Sequence, residues 1–238
     1  MAENQAQSTR SNKKIVVIPG GPYEVHGGIP LVRKSQVVTE FGEPITWKKA
    51  ETLEAGETYR LCRCGHSLNK PFCDDSHLNH PSLGKESAVT RPSIERRIQL
   101  GNGKNIIVRR DYALCIESGF CGNRFTNLEE MASHTDDPNV MAAVIGMVQL
   151  CPSGSYTYAL EDNGPDIEPD LPEQIAVLTE MTDSGPIMSA LWVTGNIPVE
   201  RADGKGFETR NRVTLCRCGE SKAKPLCDGR HRVKLIRE

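Results

Sequence analysis

No run of about 18 apolar residues occurs in this 238-residue chain, so nothing in it reads as a membrane-spanning helix. Neither sign of charge is in excess. The 29 Lys and Arg against 31 Asp and Glu give a net of −2, which removes any global pull toward nucleic acid or an anionic membrane. Aromatics make up only 5%. There is no G-x-x-x-x-G-K-[ST] phosphate loop and no G-x-G-x-x-G opening a helix. No nucleophile–base pair stands out either, so an enzyme with its own substrate is not expected. Residues 1–14 are polar and lack the apolar stretch of an export signal, so they are expected to form a disordered tail on a cytoplasmic protein. What the chain does have is cysteine, nine in all. With no export signal, reduced thiols are expected rather than disulfides.

Six of the nine cysteines fall into a pattern that occurs twice. Cys62-x-Cys64-x8-Cys73-x3-His77 is repeated as Cys216-x-Cys218-x8-Cys227-x3-His231, 154 residues further on with all three gaps unchanged. Three thiolates and an imidazole make a four-ligand set for a soft or borderline metal. The surrounding words repeat too. Leu61-Cys62-Arg63-Cys64-Gly65 matches Leu215-Cys216-Arg217-Cys218-Gly219, and Ser67, Lys70-Pro71 and Asp74 match Ser221, Lys224-Pro225 and Asp228. Upstream, Val25-His26-Gly27-Gly28-Ile29-Pro30-Leu31 matches Val193-Thr194-Gly195-Asn196-Ile197-Pro198-Val199.

These residues resemble the CDGSH iron–sulfur domains (the mitoNEET-like proteins), whose pattern is C-x-C-x2-[ST]-x3-P-x-C-D-G-[SAT]-H. The resemblance implies a [2Fe–2S] cluster in each copy, held by Cys62, Cys64, Cys73 and His77 and by Cys216, Cys218, Cys227 and His231. Each copy departs once, at Asp75 in place of Gly and at Arg230 in place of a small residue. Neither is a ligand position, and Asp tolerates a left-handed backbone. The resemblance also implies that two units pack together and exchange strands. A chain carrying both units is therefore expected to be a monomer with internal pseudo-two-fold symmetry, a pseudo-dimer.

The expected fold is α+β, with β-rich units at 15–83 and 184–238. Strands are predicted at 14–19, 58–61 and 212–215. The segment 84–183 between the units is strongly acidic. Between residues 111 and 183 there are 14 acidic residues and one basic residue, a net of −13, whereas 210–238 carries a net of +6. That contrast marks a separate insert, able to face a basic partner or the basic C-terminal unit. Helices are predicted from Asn127 and from Asp137-Pro138 to Cys151-Pro152, with strands at 105–109 and 155–160. Cys115-x2-Ser118-x2-Cys121 followed by Cys151-Pro152 resembles a divergent mono-cluster ferredoxin, which implies a third, [3Fe–4S] cluster. The competing reading is three small buried side chains in a domain that has lost its cluster.

Cys62 and Cys64, with one residue between them, can reach one iron, leaving Cys73 and His77 for the other. Asp74 and Asp228 are placed to cap a short helix carrying the histidine, and Ser67 and Ser221 to bond backbone or sulfur. Imidazole in place of one thiolate raises the potential above that of an all-Cys site. It also makes retention pH-dependent, since His binds only when deprotonated. Arg217, Lys222, Lys224, Arg230, Arg232 and Lys234 surround the second motif, so its potential is expected to be the higher. His26, His66, His80 and His134 are read as surface or core residues. The expected function is one-electron transfer or cluster storage and donation to a redox or apo-protein partner, with no nucleic-acid or membrane partner. The alternatives are a structural Cys3His zinc module or a redox or pH sensor acting through partner binding.

Overall fold

The computed structural model describes residues 12–80 and 85–237. The expected tail lies outside the described residues up to position 11, and Lys14, at its expected end, already begins a strand. The first unit contains β1 (Lys14–Val17), β2 (Tyr23–His26), β3 (Leu31–Val38), β4 (Pro44–Leu53) and β5 (Thr58–Leu61). The middle segment follows with β6 (Ile98–Leu100), β7 (Ile107–Arg110), α1 (Leu128–Met131), α2 (Pro138–Leu150) and β8 (Tyr156–Ala159). Then come β9 (Gln174–Thr182), β10 (Gly185–Thr194), β11 (Val199–Glu200), β12 (Arg212–Leu215) and α3 (Arg230–Val233). The fold is α+β, mostly sheet, and no helix among the described residues is long and apolar enough to cross a membrane.

Local sequence explains most strands. β1 and β5 bury every second residue, the period of a strand with one face on a core. β10 is apolar along its length and buried from Ile187 to Thr194, as a strand covered on both faces must be. β4 is the converse. It forms the sheet edge and exposes Lys48, Lys49 and Glu51, charges that oppose further edge pairing.

The sheet orders are β11-β1-β2-β5 and β12-β10-β9-β3-β4, and the pairing is mirrored. β1 runs antiparallel to β2 and parallel to β11, while β9 runs antiparallel to β10 and parallel to β3. The hydrogen bond from Ile15 N–H to the Pro198 carbonyl has its counterpart from Ile175 N–H to the Pro30 carbonyl, both 2.9 Å. The second unit thus lends β11 to the sheet of the first, and the first lends β3 and β4 to the sheet of the second. Residues 174–182, expected in the insert on charge, form β9 and belong to this exchange. One core draws on both sheets, with Ile15, Val25, Leu31 and Leu61 joined by Ile175, Val193, Val199 and Leu215.

The middle segment has its own antiparallel sheet, β6-β7-β8, and its own core around Val108, Leu128, Val144, Val148 and Tyr156. Both predicted helix starts are capped. Asn127 accepts from Glu130 N–H at 3.0 Å, and Asp137 accepts from Asn139 N–H at 2.7 Å with Pro138 in the first turn. Fully buried Arg212 of β12 ties this segment to the second unit. It donates to the carbonyls of Val148 and Cys151 at 2.8 Å, satisfying the end of α2, and pairs with Glu168 at 2.9 Å.

Candidate metal centres

β5 delivers the chain into the first motif, and the loop then folds back on that strand. Cys62 N–H donates to the Pro71 carbonyl at 2.8 Å, and Cys73 N–H to the Arg60 carbonyl at 2.9 Å. Ser67 Oγ donates to the Phe72 carbonyl at 2.6 Å and accepts from Asn69 N–H, so this serine braces backbone. Asp74 accepts from Leu68 N–H at 2.8 Å and Ser76 N–H at 3.1 Å, locking the entry of the 3-10 turn Ser76–Asn79 that carries His77. The formal cap position is one residue later, at Asp75, whose carbonyl accepts from Leu78 N–H at 3.0 Å but whose side chain makes no capping bond. Asp75 takes the left-handed backbone at φ 66° that Gly229 takes at 82° in the second motif. The four predicted ligands converge as two pairs. Cys62 Sγ lies 3.6 Å from Cys64 Sγ, and Cys73 Sγ lies 3.4 Å from His77 Nδ1.

The second motif repeats this construction. Cys216 Sγ and Cys218 Sγ are 3.7 Å apart, and Cys227 Sγ is 3.4 Å from His231 Nδ1. Ser221 bonds the Leu226 carbonyl, and Asp228 accepts from Lys222 and Arg230 N–H groups. These spacings suit a tetrahedral metal. Two thiolates about 2.3 Å from one ion lie about 3.8 Å apart. The donor set, two thiolates and then a thiolate with an imidazole, fits the two irons of a [2Fe–2S] cluster.

The two loops touch. Cys64 and Cys218 form an antiparallel bridge, which places their Cα atoms about 4.5–5.5 Å apart. Gly65, at φ 82°, lies so close that a Cβ there would sit 2.6 Å from the Cys218 carbonyl oxygen. Tyr23, from the first unit, donates its hydroxyl to the Cys216 carbonyl at 2.7 Å. Burial pushes the Cys64 thiol up to about 11 and the Cys227 thiol well above its ordinary range. Metal binding must therefore displace protons from these thiols.

The surroundings of the two sites differ. Cys73 and His77 are half-buried, whereas Cys227 and His231 are buried. Arg60 holds Asp75 at 2.9 Å beside Cys73 and His77, a carboxylate the spacing argument treats only as a loop residue. At the second site half of the expected belt of positive charge is paired with carboxylates. Arg230 pairs with Asp228, Lys234 with Glu220 and Arg232 with Glu180. Arg217 donates to the carbonyls of Ser189 and Leu178, and Lys224 to that of Ser221. Three of the six cations expected to raise the second-site potential are therefore balanced by carboxylates, and Arg217 and Lys224 keep their charge. Glu180, fully buried in β9, also faces His231 Nε2 at 3.3 Å. Nothing in the spacing of the motif points to it.

In the middle segment Cys115, Cys121 and Cys151 line one small enclosed cavity with Ser153, Tyr156 and the loop 116–120. Burial raises the Cys121 thiol. The spacing had singled these three out, and the fold brings them together.

A ligand loop built twice on one β framework defines a metal-binding protein. The profile of the family described as "Iron-binding zinc finger CDGSH type" matches residues 20–78 and 188–232. The chain thus carries two CDGSH-type domains in tandem. It is similar to the mouse (Mus musculus) "CDGSH iron-sulfur domain-containing protein 3, mitochondrial", with 68% identity over 26 residues, 11% of this chain and 19% of the relative. The human (Homo sapiens) protein of the same name is 62% identical over 26 residues, 11% of this chain and 20% of the relative. The match thus spans about a fifth of each relative's length. No solved structure matches.

Proposed function

We propose that the chain holds two [2Fe–2S] clusters and serves in one-electron transfer or in cluster storage and donation. The first would be held by Cys62, Cys64, Cys73 and His77, the second by Cys216, Cys218, Cys227 and His231. The observation that carries this reading is the convergence of each set into a dithiolate pair and a thiolate–imidazole pair. A bound cluster supplies a one-electron couple. The chain's own residues fix the loops: Ser67, Asp74, Ser221 and Asp228 bond backbone, and the Cys64–Cys218 bridge sets one ligand of each centre side by side. The mirrored strand exchange supports an internal pseudo-dimer. A redox partner or an apo-protein would take the electron or the cluster. The nine free cysteines fit a reducing compartment, proposed to be the cytoplasm, although the two relatives are named as mitochondrial.

The shared cavity of Cys115, Cys121 and Cys151 favours a second element of this reading, a ferredoxin-like insert with a three-iron cluster. Iron, sulfide and zinc analysis of anaerobically purified protein, with a visible spectrum, tests both. About four iron and four sulfide per chain is the outcome for two [2Fe–2S] centres, and about seven iron for a third cluster. Zinc with little iron in protein made under iron-replete conditions overturns the redox reading in favour of a structural Cys3His module.

A further inference from the structure

Glu180 is a fully buried carboxylate in β9, far in sequence from either motif. It accepts from Ser189 Oγ at 2.7 Å and from Arg232 at 2.6 Å, and it faces His231 Nε2 at 3.3 Å. A carboxylate can only accept, so a neutral imidazole facing it, the form that binds metal, carries its proton on Nε2. That leaves the lone pair on Nδ1, the atom 3.4 Å from Cys227 Sγ on the ligand side. The first site lacks this device. Counting along β1 and β9 from Ile15 and Ile175, which hold matching places in the strand exchange, the residue matching Glu180 is Gly20. His77 is half-buried, and no carboxylate among the described residues hydrogen-bonds its Nε2.

We propose that Glu180 is a positioning residue that orients His231 and makes the second centre the retained, lower-potential one, leaving the first to exchange with partners. A carboxylate accepting the distal N–H of a ligating histidine fixes its tautomer and strengthens it as a donor; losing such a partner typically weakens metal binding about 10–100-fold. Burial of the second centre disfavours the added electron of a reduced cluster, and loss of Glu180 leaves the Arg232 cation that it balances unmatched there. Cys73 and His77, with partial solvent access and no such brace, hold their metal less firmly.

This inference rests on the two-cluster reading. The test follows iron release to a chelator, and potentiometric titration by electron paramagnetic resonance, on full-length protein carrying both centres. The wild type should lose its iron in two equal phases, with Cys73→Ser removing the fast one. Glu180→Ala should speed only the slow phase, by about 10–100-fold, and raise only the lower potential. Glu180→Gln keeps an acceptor but not the charge. It should restore most of the slow phase while the potential stays raised, a split that mere structural damage does not give. Fewer than about four irons per chain in the wild type sinks the two-cluster reading and this inference with it. Four irons with a slow phase and potential indifferent to both Glu180 variants sinks the inference alone.

Discussion

Replacing Gly65 with Ala tests whether the two centres share one joint. Gly65 lies in the first ligand loop at φ 82°, a backbone that costs an L side chain about 1–2 kcal/mol. Its new Cβ would meet the Cys218 carbonyl oxygen at 2.6 Å and the carbonyl carbon at 2.9 Å. Both are backbone atoms of the opposite loop and cannot swing aside, so the Cys64–Cys218 bridge must open. Overpacking of this kind adds about 1–3 kcal/mol. The sum is about 2–5 kcal/mol, and a domain of this size loses about 2–4 °C of Tm per kcal/mol. Thermal melts by circular dichroism, read beside the visible absorbance, should show a lower Tm and simultaneous weakening of both centres. Gly206, exposed with nothing within 4 Å of an added Cβ, is the control and should stay within about 0.5 kcal/mol as Ala. A Gly65→Ala protein that melts within about 1 kcal/mol of wild type, or loses one centre only, refutes the shared joint.

Three further outcomes are expected. Arg212→Met strands the α2 carbonyls and Glu168, and should cost about 3–5 kcal/mol in chemical denaturation, with the middle segment becoming protease-sensitive first. Tyr23→Phe removes the buried hydroxyl that braces the Cys216 carbonyl. It should cost about 1–2 kcal/mol and hasten loss of the second centre, although Tyr23 belongs to the first unit. Gly146→Ala, inside α2 with open space around it, should stabilise the protein by about 0.5–1 kcal/mol in the same denaturation assay.

The ligand loops were legible in the sequence because their geometry is local. Cys62 and Cys64, or Cys73 and His77, are two and four residues apart, and a turn held by Ser67, Asp74 and a left-handed Asp75 brings them together. The helix starts at Asn127 and Asp137 were legible for the same reason: a capping side chain and the N–H groups it satisfies are neighbours in the chain. Charge, by contrast, was legible only in part. Arg230, Arg232 and Lys234 read as a positive belt because the sequence shows the cations but not their partners.

By itself, then, the sequence determined two like ligand loops, their spacing and the strands that feed them, all set by short-range sterics and hydrogen bonds. Only the tertiary structure decided what those loops meet. β1 pairs with β11 and β3 with β9 across more than a hundred residues. Glu180 reaches His231 across 51 positions, and Tyr23 reaches Cys216 across 193. Such contacts depend on which strand faces are buried against one another, and that burial is what gives a single carboxylate or hydroxyl its weight, because no water competes for it.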